Sequence, residues 1–322
     1  MSYPPISETA LNTIIKANAY EPYYSFKSSL DLYDIHQFTN GHPFSTYDEL
    51  RENSPIYFQN PPEWDVEPGA WMLTSYKDIM EVSSNPTIFS SQAATGNLIT
   101  LGDPETRHPK LWQTSIDHML NLDGSFHLDL RREHMPFFKP GYVEDLHKKV
   151  EIKVETLLDA IAKAGKSNLV KDISQQIPIF TLSEVLGIPE EDRHKLATWM
   201  EFLELAQYFA AENMKQTQGK AEEMEVDTSM IELFENMIGE MFEYGKHILQ
   251  EKRLNPKNDL LSAIANAELD GAKLSQEYLD GSWLLIIFAG NDTTRNSISG
   301  AIKLLTEFPE QKKKLLNNFD LL

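Results

Sequence analysis

A chain of 322 residues, 41% of them hydrophobic, is long enough to bury a sizeable core as one large domain or two ordinary ones. Lys and Arg number 29 against 49 Asp and Glu, and the resulting formal charge of −20 repels phosphate backbones and anionic bilayers, which argues against nucleic acid as a partner. The sequence holds no cysteine, so it offers no disulfide framework, thiol nucleophile or thiolate metal site.

The N-terminal MSYPPISETALNTIIK lacks a basic start followed by an apolar run. The longest apolar stretch, Trp283 to Ala289, is far short of the roughly 20 residues a bilayer needs, so no membrane span and a cytoplasmic location are expected. PFSTYDELRENSPIYF reads as a short helix running into a strand, NPPEWDVEPG as a loop and AWMLTS as a second strand, which makes a hairpin. SYKDIMEVSSN follows as a helix with Ser75 at its N-cap and Asn85-Pro86 as its stop. From Ser91 to about Leu122 periodicity is poor, and a long loop is expected.

Helices dominate beyond it. Gly141 to Ala164 places Val143, Leu146, Val150, Val154, Leu157, Leu158 and Ile161 on one stripe. Asp172 to Leu186 is a second helix, closed by Gly187 and Pro189. Leu196 to Met214 and Met230 to Lys252 are two more, joined by the acidic KQTQGKAEEMEVDTS. Met200, Met214, Met224, Met230, Met237 and Met241 gather in this pair and its joint, either as ordinary core filling or as a pliable cover over an apolar ligand. Ser275 to Phe308 reads as one long helix interrupted at FAGNDTT.

That interruption carries chemistry. Gly290 lets another object approach the backbone, and Thr293 can return its hydroxyl to the carbonyl of Ala289 four residues earlier, so a kink is expected. Asp292 and Thr293 beside a kink suit proton delivery to something bound in the gap. Two plainer readings stand beside it: Asp292 and Arg295 as a helical ion pair, or Gly290 ending one helix and Asp292 capping the next. Within NLDGSFHLDLRREHMPFFKP, His127 and Arg131 are four apart and share a helix face, which suits a carboxylate or phosphate ligand.

In this order and separation, these segments resemble the cytochrome P-450 family of haem-thiolate monooxygenases, soluble bacterial type. The family's long central helix carries Ala/Gly-Gly-x-Asp/Glu-Thr-Thr/Ser, matched by Ala289, Gly290, Asn291, Asp292, Thr293 and Thr294. An earlier helix carries His-x-x-x-Arg and then a Phe-containing stretch, matched by His127, Arg131 and FFKP. VLGIPEED, NPKNDLLSAIANAELDG and LTEFPEQKKKL are similar to the bacterial members, and the resemblance runs from about Pro43 to the last residue. It departs where members usually place two prolines and this chain has Gly124 and Ser125.

The resemblance implies a mainly α fold with a small β-rich N-terminal portion, about residues 40–90, and a helical portion, about 120–322, in a single domain. It implies haem b, with His127 and Arg131 bonding its propionates, Ala289 and Gly290 leaving room for dioxygen, Thr293 hydrogen-bonding reduced dioxygen and Asp292 relaying protons. Electrons would come from NAD(P)H through a ferredoxin and its reductase, and the substrate would be a hydrophobic small molecule of alkane, fatty acid, terpene or steroid type. The family's axial cysteine and its Glu-x-x-Arg motif are absent, so a fold incomplete at the C-terminus and an inactive fragment of an active parent are expected. Two alternatives remain: a non-catalytic helical ligand-binding protein or remnant, and a di-iron carboxylate oxygenase built on the Glu-x-x-His pairs Glu105/His108, Glu144/His147 and Glu191/His194.

Overall fold

The computed structural model describes residues 35–38, 40–59, 70–92, 110, 114, 118–203, 228–269 and 271–321. The leader, the loop at 60–69, most of the loop expected between Ser91 and Leu122, and the acidic joint with Met214 and Met224 lie outside the described residues. By internal packing the chain forms two compact units, residues 1–130 with 207–227 and residues 131–206 with 228–322.

In the first unit, α1 (Phe44–Asn53) buries Leu50 and leads into an antiparallel hairpin. Its strands β1 (Ile56–Gln59) and β2 (Ala70–Leu73) pair Ile56 with Leu73 and Gln59 with Ala70. The expected hairpin is therefore present. Phe58 and Trp71 meet across it with ring centroids 5.0 Å apart. Helix α2 (Tyr76–Ser83) begins as expected, because the Ser75 hydroxyl accepts from the Asp78 N–H at 3.2 Å and donates to the Asp78 carboxylate at 2.5 Å. Further on, the Asp123 carboxylate accepts from the Ser90 hydroxyl at 2.5 Å and the Ser91 N–H at 3.1 Å, anchoring the chain ahead of α3 (Gly124–His134). The division between the units passes through α3, between Leu130 and Arg131.

The second unit is helical. Helix α4 (Pro140–Ala164) starts on a proline, whose missing N–H costs nothing in a first turn, and stops at the left-handed Gly165. It packs on α5, and of its expected apolar stripe Leu146, Val150, Val154, Leu157 and Ile161 are half-buried whereas Val143 and Leu158 are exposed. The helix expected from Asp172 begins instead as a π-turn, Val170–Ser174, and becomes regular in α5 (Gln176–Leu186). The reason is local: the Asn168 side chain accepts from the Val170 and Lys171 N–H groups at 3.1 Å, and Asp172 accepts from the Asn168 N–H at 2.6 Å. Residues 193–203 form α6, and α7 spans Thr228–Leu254. Helix α8 (Leu260–Asn266) is capped by Asp259, which accepts from the Ser262 N–H at 2.8 Å.

A second, unexpected hairpin follows, with β3 (Glu268–Leu269) paired to β4 (Ala272–Lys273), so strand is not confined to the N-terminal portion. Helix α9 (Gln276–Ala289) comes next, with every residue from Tyr278 to Leu284 buried, as befits a helix surrounded by its neighbours. Around it Trp199 and Met200 of α6 and Ile238 and Met241 of α7 complete the core, so the two methionines are core filling. Helices α10 (Asp292–Glu307) and α11 (Pro309–Asn317) close the unit. Among the described residues no helix is long and apolar enough to cross a membrane.

Candidate functional site

The helical ladder of α9 ends where the Gly290 N–H donates to Ile286 O at 3.0 Å, and that of α10 begins where the Arg295 N–H donates to Asn291 O at 2.9 Å. Gly290 and Asn291 thus form a break, and the expected interruption at FAGNDTT is two helices meeting at two residues. Gly290 is required there by packing. A Cβ on it would sit 2.8 Å from Leu182 Cδ1 of α5 and 2.9 Å from Ile286 O. Phe288 and Ala289, one step earlier, are exposed.

The side chains around the break are unevenly satisfied. Asn291 is 1% exposed, and its Oδ1 has no hydrogen-bond partner among the described residues. Thr293 returns its hydroxyl to Ala289 O at 3.4 Å, well beyond the usual 2.7–2.8 Å of such a bond, so the hydroxyl is weakly engaged. Asp292 opens α10, where a carboxylate complements the helix dipole. Its Oδ1 accepts from Arg295 Nη2 at 2.6 Å and from Asn296 Nδ2 at 3.0 Å. The helical ion pair weighed as a plainer reading is therefore formed, whereas Asn291, not Asp292, occupies the capping position.

On α3, His127 is half-buried and Arg131 exposed, one helical turn apart. The buried His134 on the same helix was not singled out by any motif; burial pushes its imidazole down to about 4. His118, buried ahead of α3, is lowered for the same reason. Of the Glu-x-x-His pairs, Glu105/His108 lies outside the described residues. Glu144 and His147 are exposed on α4, where His147 meets Glu151 at 3.5 Å, and Glu191 and His194 are exposed as well. Among the described residues no three His, Asp or Glu side chains are grouped to hold a metal.

The family profile described as Cytochrome P450 matches residues 87–321. The chain belongs to the cytochrome P450 family. Linalool 8-monooxygenase of Pseudomonas putida is 27% identical over 282 residues, covering 87% of this chain and 65% of that protein. Steroid C26-monooxygenase of Mycobacterium tuberculosis is 28% identical over 273 residues, covering 84% of this chain and 58% of that protein. Cytochrome P450 CYP268A2 of Mycobacterium marinum, solved in complex with pseudoionone, superposes with a TM-score of 0.68 at 27% identity, covering 92% of this chain and 69% of that one. The fold is that of a cytochrome P450, and the chain spans less than two thirds of the length of the two curated relatives.

Membership of the P450 family implies haem. The donor set on α3 fits such a group, since an imidazole and a guanidinium one turn apart match propionate carboxylates. Ala289, at the end of α9, is small and exposed. The spacing of the motifs signalled the Asp292–Arg295 pair, whereas nothing in it signalled the parts played by Leu182 and the buried Asn291 at the break, which are tertiary facts.

Proposed function

We propose that the chain supplies the propionate-binding and dioxygen-facing residues of a longer haem monooxygenase, which inserts one atom of dioxygen into a hydrophobic small molecule of terpene or steroid type. The observation that carries the reading is the break at Gly290-Asn291, which falls on the Ala-Gly-x-Asp-Thr-Thr motif and leaves the Thr293 hydroxyl weakly held. The printed names of the relatives, a linalool and a steroid monooxygenase, support the substrate class.

When bound, haem supplies the activation of dioxygen; the residues of this chain do the rest. His127 and Arg131 would hold the propionates by charge-assisted hydrogen bonds. Ala289 keeps the end of α9 free of bulk, and the Thr293 hydroxyl, weakly engaged with Ala289 O, would be available to donate a hydrogen bond to dioxygen. Asp292 passes protons inward from solvent, and Arg295 and Asn296 hold its Oδ1 in place while it does so. Electrons reach the site from NAD(P)H through a ferredoxin and its reductase. The sequence contains no cysteine, so the thiolate of the P450 family is not among residues 1–322.

A second reading, favoured by the 2.6 Å contact, makes Asp292 and Arg295 a purely structural pair. Product formed per NAD(P)H consumed by the full-length, haem-loaded protein separates the two. Thr293→Ala should still consume NAD(P)H but divert it to hydrogen peroxide, and Asp292→Asn should slow turnover and enlarge the solvent isotope effect. Unchanged coupling in Thr293→Ala sinks the proton-delivery reading, and equal damage from Arg295→Ala and Asp292→Asn favours the structural one.

A further inference from the structure

In the core of the second unit three aromatic rings from three helices form a closed triangle. Trp199 of α6, Tyr244 of α7 and Trp283 of α9 have centroid separations of 5.2 Å (Trp199 to Tyr244), 5.8 Å (Tyr244 to Trp283) and 6.2 Å (Trp199 to Trp283). Both tryptophans are 1% exposed. Trp283 lies so close to α7 that a Cβ on Gly245 would fall 2.5 Å from its Cδ1. Packed rings at such spacings are by themselves a core.

The polar handles make this one different. The Tyr244 hydroxyl donates to Asp192 Oδ2 at 2.9 Å, so the phenol faces a carboxylate that can take its proton. The Trp283 Nε1–H instead donates to the backbone carbonyl of Met241 at 3.0 Å, which is no base, so an oxidised indole there keeps its proton. Lys195 ties Asp192 Oδ1 at 2.8 Å and lies 4.9 Å from the centroid of the Tyr244 ring, disfavouring a cation on that ring but not a neutral radical. Burial and the Asp192 hydrogen bond raise the Tyr244 phenol well above its ordinary range, so it keeps its proton until an electron leaves.

We infer that Trp283, Trp199 and Tyr244 form a one-electron oxidation relay, whose end point is a neutral Tyr244 phenoxyl radical with its proton on Asp192. A strong outer-sphere one-electron oxidant removes an electron from Trp283 or Trp199 and is itself reduced, leaving an indole radical cation. Tyr244 returns one electron to that indole while its O–H bond breaks and the proton passes to Asp192. A one-electron reductant of the enediol or thiol class then restores the phenolate electron, and Asp192 returns the proton. Trp283 lies seven residues before Gly290, about 10 Å along the helix, so it is not part of the segment that carries the oxygenase motif. The relay does not depend on haem or on the reading of that motif.

Flash photolysis of the chain with a ruthenium(II) polypyridyl sensitiser and a sacrificial electron acceptor tests it. A tyrosyl radical should appear in transient absorption and in the electron paramagnetic resonance spectrum. Because the chain has 12 tyrosines, the Tyr244 signal is the difference between wild type and Tyr244→Phe. That difference signal should fall in Trp283→Phe, which leaves Trp199 as the remaining indole of the cluster, and be lost or reshaped in Asp192→Asn. Asp192 lies at the edge of the cluster, so Asp192→Asn reports even if the core variant Trp283→Phe does not fold. A tyrosyl yield unchanged by Tyr244→Phe, or a full and unaltered Tyr244 signal in Asp192→Asn, overturns the relay.

Discussion

Gly290 shows how one residue answers to two demands. A P450 motif asks for glycine there, and the structure gives an independent cause, since Leu182 Cδ1 and Ile286 O would lie within 3 Å of any Cβ. Gly290→Ala should therefore destabilise the protein by about 1–3 kcal/mol despite the better helix propensity of alanine, read from the denaturation midpoint. Pairing it with Leu182→Ala should recover part of that loss, and strictly additive effects would show that Leu182 is not what the methyl meets. His134 sets a second expectation at this scale. The fold keeps its imidazole neutral down to about 4, whereas the unfolded chain takes up the proton near 6.5, so acid favours unfolding. The stability His134 supports is full above pH 6.5 and is lost progressively as pH falls toward 4. His134→Leu should remove that share of the acid slope, measured as the wild type minus variant difference in unfolding free energy across that window.

Between elements, the second unit is tied by a buried node. Lys252, near the end of α7, donates to the carbonyl of Gly187 just past α5 at 3.0 Å and pairs with Asp259, the cap of α8. Three helix ends thus meet on one ammonium group. Lys252→Met should cost about 3–5 kcal/mol, because it leaves the Asp259 charge buried and unpaired. Adding Asp259→Asn removes the charge while keeping an oxygen for the Ser262 N–H, so the double variant should be the more stable of the two in urea unfolding. A double variant weaker than Lys252→Met would show that the pair contributes more than charge neutralisation. One end of this node was legible in the sequence as punctuation, Gly187 before Pro189, but the meeting of the three ends was not. The same holds elsewhere. Ser75 as a cap, the β1–β2 hairpin and the break at FAGNDTT follow from local chemistry, and the structure has them. The β3–β4 hairpin has two residues per strand, too short for any alternation to register, and only Asp270-Gly271 hints at a turn. The roles of Leu182 and Asn291 depend on which helix lies against the break, which periodicity does not encode.

Over the whole molecule two forces oppose each other. The formal charge of −20 makes copies repel. Helices α10 and α11 and the residues that join and follow them meanwhile expose the apolar side chains of Ile302, Leu304, Phe308, Leu316, Phe319 and Leu321. Repulsion between exposed charges is screened over about 10 Å at 0.1 M salt but only about 3 Å at 1 M, whereas apolar attraction does not weaken with salt and strengthens with sulfate. The chain should therefore stay dispersed at low ionic strength and self-associate as salt rises, with sulfate acting more strongly than chloride at equal ionic strength. Light scattering and sedimentation across a salt series measure this directly. Phe308→Ser with Leu316→Ser should shift the onset to higher salt while leaving the denaturation midpoint nearly unchanged, because neither side chain is buried. Association that is independent of salt, or is unmoved by the double substitution, would place the driving contact elsewhere than on α10 and α11.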